Sequence, residues 1–381
     1  MCANKENQMN LKQRVTEKAL EIGFEDVGFT STEPLDLYVE EIESRQEMYD
    51  WVLDTEGVDL KNGALLGQNH PWAKSLLVVI LNYHRRAFPP QLTGKIGRIY
   101  LVDDRQEMKD WFPKAMGFLT FLGDEGIRFH VGEEIPARMA AARAGVTTYG
   151  KNCFAYANRK ILGASWLVSI PILLDAEIEP DEPSIELGCP DWCKNACIAA
   201  CPTGALYAPK KMNPRKCIAY NTYYAPGITP VELREPMGIW VYGCDRCQEV
   251  CPRNQAWMHQ DLPENGPLAE RADDFQPEKL LTMTQDHYEN KVWPLAFYIP
   301  KDNIAKWKMN AARVLGNLGD RSHVPALAQA LAENPDETVR GMSAWALAKL
   351  GGANAKAALE SRLPREEGLV KEEIELALER L

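Results

Sequence analysis

GCPDWCKNACIAACPTGAL, residues 188–206, and YGCDRCQEVCPRN, residues 242–254, hold seven of the chain's ten cysteines. Cys217, in the short block CIAY between them, makes eight: Cys189, Cys193, Cys197, Cys201, Cys217, Cys244, Cys247 and Cys251. The last cysteine of each run, Cys201 and Cys251, is followed directly by a proline.

The second run is C-x2-C-x3-C-P, the ending of the bacterial ferredoxin pattern, in which the cysteine before proline crosses to a second cluster. Eight thiolates are what two 4Fe–4S clusters need. The crossed pattern assigns Cys201, Cys217, Cys244 and Cys247 to one cube, and Cys189, Cys193, Cys197 and Cys251 to the other. Four-cysteine zinc sites also use C-x2-C pairs. They do not ask for prolines after the last cysteines, nor for a lone Cys217. One feature departs from the ferredoxin pattern: the first run is C-x3-C-x3-C-x3-C-P. A spacing of four keeps the thiols roughly on one face of a helix, drifting by about 40° per step. Either a bulge near Pro190 or Asn195 wraps the run round a cube, or one ligand is displaced. Cys2 and Cys153 are read as non-ligands.

Length and composition set the bounds. With 381 residues the chain has room for two or three domains. Its apolar content of 45% and charged content of 25% are those of a globular protein. A net charge of −11 disfavours a generic, strongly basic nucleic-acid binder. The polar start MCANKENQMNLKQR is no secretory signal, and SLLVVILNY is too short to span a bilayer. Clustered cysteines without such a signal predict reduced thiols in a cytoplasmic setting and no membrane.

Working outward, LKQRVTEKALEIG is an amphipathic helix stopped by Gly23, with a strand at Asp26–Phe29. Residues 36–53 read as helical, and 73–83 as a buried strand. GKIGRIYLVDD (94–104) is a Gly-broken loop or short strand. Residues 107–126 form a helix that kinks or begins near Pro113. IRFHV is a strand, 135–145 a small-residue helix, and 165–174 a second buried strand. Strands alternating with helices suggest an α/β domain over 1–180. The acidic stretch DAEIEPDEPSIE (175–186) reads as a linker. The cysteine domain occupies 181–265, a connection 266–302, and an Ala/Leu-rich helical region 303–381. There Ala312/Ala344, Leu315/Leu347, Leu318/Leu350 and Gly319/Gly351 repeat at a spacing of 32, the mark of HEAT-type helix pairs rather than a plain bundle.

These blocks together resemble the epoxyqueuosine reductase family, iron–sulfur and cobalamin-dependent enzymes of tRNA modification related to the reductive dehalogenases. The resemblance runs through residues 11–30, 71–83, 141–152 (AARAGVTTYGKN), CPTGAL, CIAY, GCDRCQEVCPRN and the HEAT-like tail. It implies a nitroreductase-like, corrinoid-binding α/β domain, a ferredoxin-like double-cluster domain and C-terminal HEAT-like repeats. It also implies a cobalamin fed by both clusters, with an external donor of ferredoxin or flavodoxin type. In the relatives a tyrosine near a basic residue donates a proton, a role that would fall to Tyr149. Lys151 and Asn152, together with Ser165, Trp166 and Tyr242, are the expected corrinoid contacts.

The acid segment departs from the family. Where relatives carry V-D-[ST]-A-P-V-x-E-R, this chain reads FHVGEEIPARMAAARAG (129–145). Counted back from Gly145, Arg138 takes the family arginine, Ala137 replaces its glutamate and Val131 stands at its proton-donor aspartate. Glu133 or Glu134 takes that role only with a shifted loop, and His130 reads as structural. Arg253 stands where a tryptophan is usual. Residues 305–381 balance eleven basic against eleven acidic side chains, without the basic surface a tRNA-gripping solenoid needs. APKKMNPRKC (208–217) is locally basic, read as a solvated loop or a docking patch. The sequence therefore predicts a cobalamin-dependent iron–sulfur reductase of a small organic substrate. The alternatives are a redox partner of another corrinoid protein, and a tRNA epoxyqueuosine reductase with a rearranged acid loop.

Overall fold

The computed structural model describes residues 10–53, 61–101, 111–158 and 164–381. Cys2, residues 102–104 of the 94–104 loop and residues 107–110 of the expected helix lie outside them.

The first helix, Leu11–Ile22, is closed at its start by a reciprocal Asn10/Gln13 cap and at its end by Gly23 at φ 113°. Strands β1 (Asp26–Thr30), β2 (Ser75–Asn82), β3 (Phe129–Val131) and β6 (Leu167–Leu174) follow the expected apolar runs. They form one sheet in the order β1-β2-β6-β3, antiparallel throughout. Two small hairpin strands, β4 (Thr147–Tyr149) and β5 (Ala155–Ala157), stand apart from it. All eight residues of β2 are buried, because both sheet faces are covered. Leu77, Val79 and Leu81 meet helices 11–22 and 111–124 on one side. On the other, Leu76, Val78 and Ile80 meet helix 137–143 and the segment around Leu66. Each such side chain contributes about 1.5–3 kcal/mol of transfer energy.

Several local expectations are refined. Residues 36–53 form two helices, Asp36–Glu43 and Gln46–Leu53. Pro113 lies within helix Trp111–Asp124, of which Trp111 is the first described residue. Residues Arg98–Leu101 form a 3-10 turn. The 175–186 stretch is no free linker: Asp181 pairs with Lys12 at 3.0 Å and accepts from Phe29 N–H at 2.9 Å, and Ser184 donates to Thr147 O at 2.8 Å.

Five helices close the chain: Ile304–Leu318, Val324–Glu333, Glu337–Leu350, Ala353–Arg362 and Gly368–Glu379. The repeat of 32 superimposes the first of these on the third, whose inner faces pack together. The tail is bolted to the cysteine domain. Arg234 and Glu373, both buried, pair through two bonds of 2.7 and 2.6 Å. Arg313 donates to the carbonyls of Gly238 and Trp240. Among the described residues no helix is long and apolar enough to cross a membrane.

Candidate cluster and substrate site

The eight cysteines come from three stretches, 188–206, the block at Cys217 and 242–254, with only short helical turns of their own. The stretched spacing of the first run is resolved by two consecutive left-handed residues, Lys194 at φ 46° and Asn195 at φ 61°. They separate a 3-10 turn at Asp191–Cys193 from helix Ala196–Ala199, so the run is not one continuous helix face. Non-glycine residues adopt this conformation at a cost of roughly 1–2 kcal/mol each, and such strain gathers at functional sites.

The thiols fall into two groups by their mutual electrostatics. Burial first, then the charges of Cys251, Cys189 and Cys193, push Cys197 up to about 11. Cys189 is raised by burial and then by Cys193 and Cys251. Cys217 and Cys244 are raised by burial and by partners in the other group, among them Cys201. Cys247 is raised by burial, then by Cys244 and Cys217. It also feels Cys197, which places the two groups side by side. Four thiolates this close are stable only around a cation. No described cysteine is in a disulfide.

The first group is well furnished with hydrogen bonds. Lys151 N–H donates to Cys189 Sγ at 3.2 Å, Lys151 Nζ lies 3.6 Å from Cys193 Sγ, and Tyr156 O–H donates to Cys251 Sγ at 3.1 Å. Arg253 takes the place of an aromatic by stacking its guanidinium on Tyr156 at 4.5 Å and donating to Gly188 O at 2.7 Å. The second group receives Arg246 N–H on Cys244 at 3.4 Å, the backbone N–H groups of Ala219 and Tyr220 on Cys217, and the Thr203 hydroxyl 3.9 Å from Cys201. Beside it, buried Asp245 is held by Arg98 at 2.8 Å and 3.0 Å, and Arg98 also reaches Glu249 at 2.9 Å.

Three cavities adjoin this centre. One, of about 510 Å³, is walled by Cys201, Cys217, Cys244 and Cys247, all four thiols of the second group and none of the first, and by Tyr83, Tyr100, Tyr223 and Ser169. A second, of about 410 Å³, runs over the sheet beneath helix 111–124 and reaches Val131 and Glu133. A third, of about 780 Å³, is bounded by the turn 133–139, helix 36–43 and the loop carrying Lys210 and Lys211. Ala137 lines all three, Glu133 the last two, and Arg138 the first and third. The basic loop is therefore not merely solvated: Lys211 pairs with Glu41 at 2.8 Å, and Arg215 pairs with Asp50.

The structure separates the expected site residues. Tyr149 faces the third cavity, and burial raises its pKa; Arg138, rather than Lys151, is the cation that opposes the rise. Lys151 is spent on the thiols, so it does not acidify Tyr149. Asn152 is buried and clamps the turn, donating to Tyr156 Oη at 3.0 Å and Cys247 O at 3.2 Å. Ser165, Trp166 and Tyr242 line none of the three cavities. Ser165 is consumed by Gln248 and Asn254, at 2.8–3.0 Å. Trp166 is buried against His84, and Tyr242 is stacked on Trp307 at 4.7 Å behind Tyr100. Glu133 and Glu134 sit on the turn that follows β3. Glu134 Oε1 lies 3.2 Å and 3.0 Å from the Nε2 atoms of His70 and His130. The sequence reading missed Ser169, whose buried hydroxyl has no partner among the described residues, and Tyr100 and Tyr223, which join O–H to O–H at 3.2 Å. The available signal for Ser169 was a lone hydroxyl inside the otherwise apolar run LVSIPILL.

The comparisons agree with this architecture. Residues 191–254 match a 4Fe–4S double cluster binding domain, and residues 301–379 match HEAT repeats. The chain thus carries a double-cluster domain joined to a HEAT-repeat tail. Epoxyqueuosine reductase of Bacillus subtilis is 29% identical, covering 98% of this chain and 96% of that protein. The Escherichia coli enzyme is 29% identical, covering 95% of each. A solved structure of the Bacillus subtilis epoxyqueuosine reductase, with its aspartate-bearing catalytic loop swung out of the active site, matches with a TM-score of 0.81 and 26% identity over 97% of this chain and 99% of that one. An epoxyqueuosine reductase solved with an epoxyqueuosine-modified tRNA stem loop matches with a TM-score of 0.77 and 26% identity, over 97% and 98%. This chain is a homologue of the bacterial epoxyqueuosine reductases, which are oxidoreductases.

Proposed function

We propose that the chain reduces epoxyqueuosine in tRNA, with electrons entering through two 4Fe–4S clusters. This exchanges the sequence's main expectation, a small free substrate, for its tRNA alternative. The end-to-end likeness to the stem-loop-bound reductase carries the reading. In it, Cys189, Cys193, Cys197 and Cys251 hold an outer cluster beside the 68%-exposed Trp192, where a donor protein can approach. Cys201, Cys217, Cys244 and Cys247 hold the inner one, against the cavity.

The cavity fits a corrinoid: it is apolar and aromatic, opens onto the inner thiols, and holds the Ser169 hydroxyl, which has no partner among the described residues and which an amide-fringed ring would satisfy. Ser169, Tyr100 and Tyr223 would hold it, and it would supply a strongly reducing cobalt centre. Opening an epoxide to an alkene with loss of water takes two electrons and two protons. Glu133, at the junction of two cavities, is the carboxyl placed to give a proton; Glu134 is turned to the imidazoles. Arg45, Arg138, Lys210 and Lys211 line the third cavity beside Glu40, Glu41, Glu133 and Glu134; with Arg45 and Lys211 paired to Glu41, Arg138 and Lys210 are the cations that suit phosphate. A second reading, reduction of another substrate, is favoured by Ala137 and Val131, which leave the cavity junction without the two carboxyls of the family pattern.

The test is anaerobic reconstitution with iron, sulfide and cobalamin, then turnover of an epoxyqueuosine stem loop followed by mass spectrometry. Reductant-dependent loss of one oxygen is expected. No turnover, together with no retention of the stem loop at moderate salt, overturns the reading.

A further inference from the structure

Segments far apart in sequence bring His70, His130 and Glu134 to one point at the edge of the sheet. His130 is on β3, whose backbone pairs with Leu173. Glu134 is on the turn that follows. His70 ends a short helical turn whose residues are tied back to the first half of the domain, Gly67 N–H donating to Thr32 O at 2.8 Å. The Nε2 atoms and the carboxylate oxygen lie within 4.8 Å of one another. The two imidazoles are stacked, 4.7 Å apart and 28° from parallel.

We propose that these three side chains bind a divalent transition-metal ion of the zinc type. Two neutral imidazoles and one carboxylate are a donor set such ions favour, with open positions left for water. Metal–ligand bonds of about 2.1 Å put neighbouring donors about 3.0 Å apart in octahedral and about 3.4 Å apart in tetrahedral geometry. The observed Nε2–Oε1 separations of 3.2 and 3.0 Å lie at this spacing. Among the described residues no lysine or arginine pairs with Glu134; imidazoles are its only ionic partners. The ligands are partly exposed, with side chains 22%, 41% and 36% accessible, so an ion can enter from solvent.

The site is also held in shape beforehand. A Cβ on Gly63 would stand 2.0 Å from Glu134 O, so the His70 segment meets the Glu134 turn at a distance only glycine allows. The rim of His70 meets Trp72 edge-on at 6.0 Å, and Arg128 covers that indole at 4.2 Å. None of the eight clustered cysteines takes part. An ion here would pin the turn that carries Glu133 to the cavity junction, at the wall of the third cavity, which Glu134 also lines.

The test is calorimetric titration of the cluster-loaded protein with Zn²⁺, alongside His70→Asn, His130→Asn and Glu134→Gln. One equivalent beyond the iron is expected, with affinity lowered about 100-fold or more in each variant, at least the loss seen when a residue that only hydrogen-bonds to a ligand is changed. Unchanged iron content verifies that the variants fold. Zinc-edge X-ray absorption on the unaltered protein gives a reading independent of any variant. Nitrogen and oxygen ligands with imidazole scattering support the site. Sulfur ligands, no stoichiometric zinc, or equal binding by the variants would show a hydrogen-bonded cluster only and overturn it.

Discussion

The cysteine segment 189–254 and the turn 131–138 answer to different constraints. In the first, the neighbours of the thiols are themselves tied down: Lys151 to two sulfurs, Asn152 to Cys247 O, Asn254 to Ser165, Arg98 to Asp245. In the second, Glu133 and Arg138 are exposed, and Ala137 leaves open the point where three cavities meet. A substitution in the cysteine segment would disturb several partners at once, because each residue there supports others. At the turn, a single side chain can change the cavity lining without breaking such a web.

The sharpest break of that contrast is Cys247→Ser. In the proposed ligand set it should lower iron from about eight to about four per chain and abolish turnover, whereas Cys153→Ser should leave iron unchanged; iron and sulfide assay decides. Next comes Glu133→Gln. Loss of a positioned proton donor should lower kcat by about 10²–10⁴ with full iron content; an unchanged kcat removes Glu133 from the mechanism. Glu373→Ala leaves buried Arg234 unpaired and should cost about 3–5 kcal/mol in denaturant unfolding, showing that the tail is part of the wiring frame. The smallest effect concerns Lys306, pulled down to about 8 by burial and then by Arg313. Between pH 8 and 10.5 the unfolded chain keeps this proton while the folded one has lost it, so stability rises with pH across that window. Lys306→Met should remove the rise, about 1–3 kcal/mol, in unfolding curves taken across it.

Much of the frame was legible. Continuous apolar runs at 75–82 and 167–174 reported a sheet buried on both faces, and the spacing of 32 reported stacked helix pairs. The antiparallel order was not, since strand direction depends on where loops cross. Trp166 and Tyr242 misled because an aromatic next to a site in sequence serves equally well as the layer behind it. Tyr149 beside Lys151 misled because two residues apart on a turn need not face each other. The stretched first run became readable only once Lys194 and Asn195 were seen to reverse the chain. The 175–186 stretch has a linker's composition, yet Asp181 and Ser184 lash it to the domain.

The side chains that reach the two thiol groups differ in kind, and this has an energetic consequence. Positive charge and donors aimed at cluster sulfurs raise a reduction potential, and the Lys151 ammonium and the Tyr156 phenol both stand on the outer group. In the proposed ligand set the outer cluster would therefore be the easier of the two to reduce, and a first electron would rest there, away from the cavity.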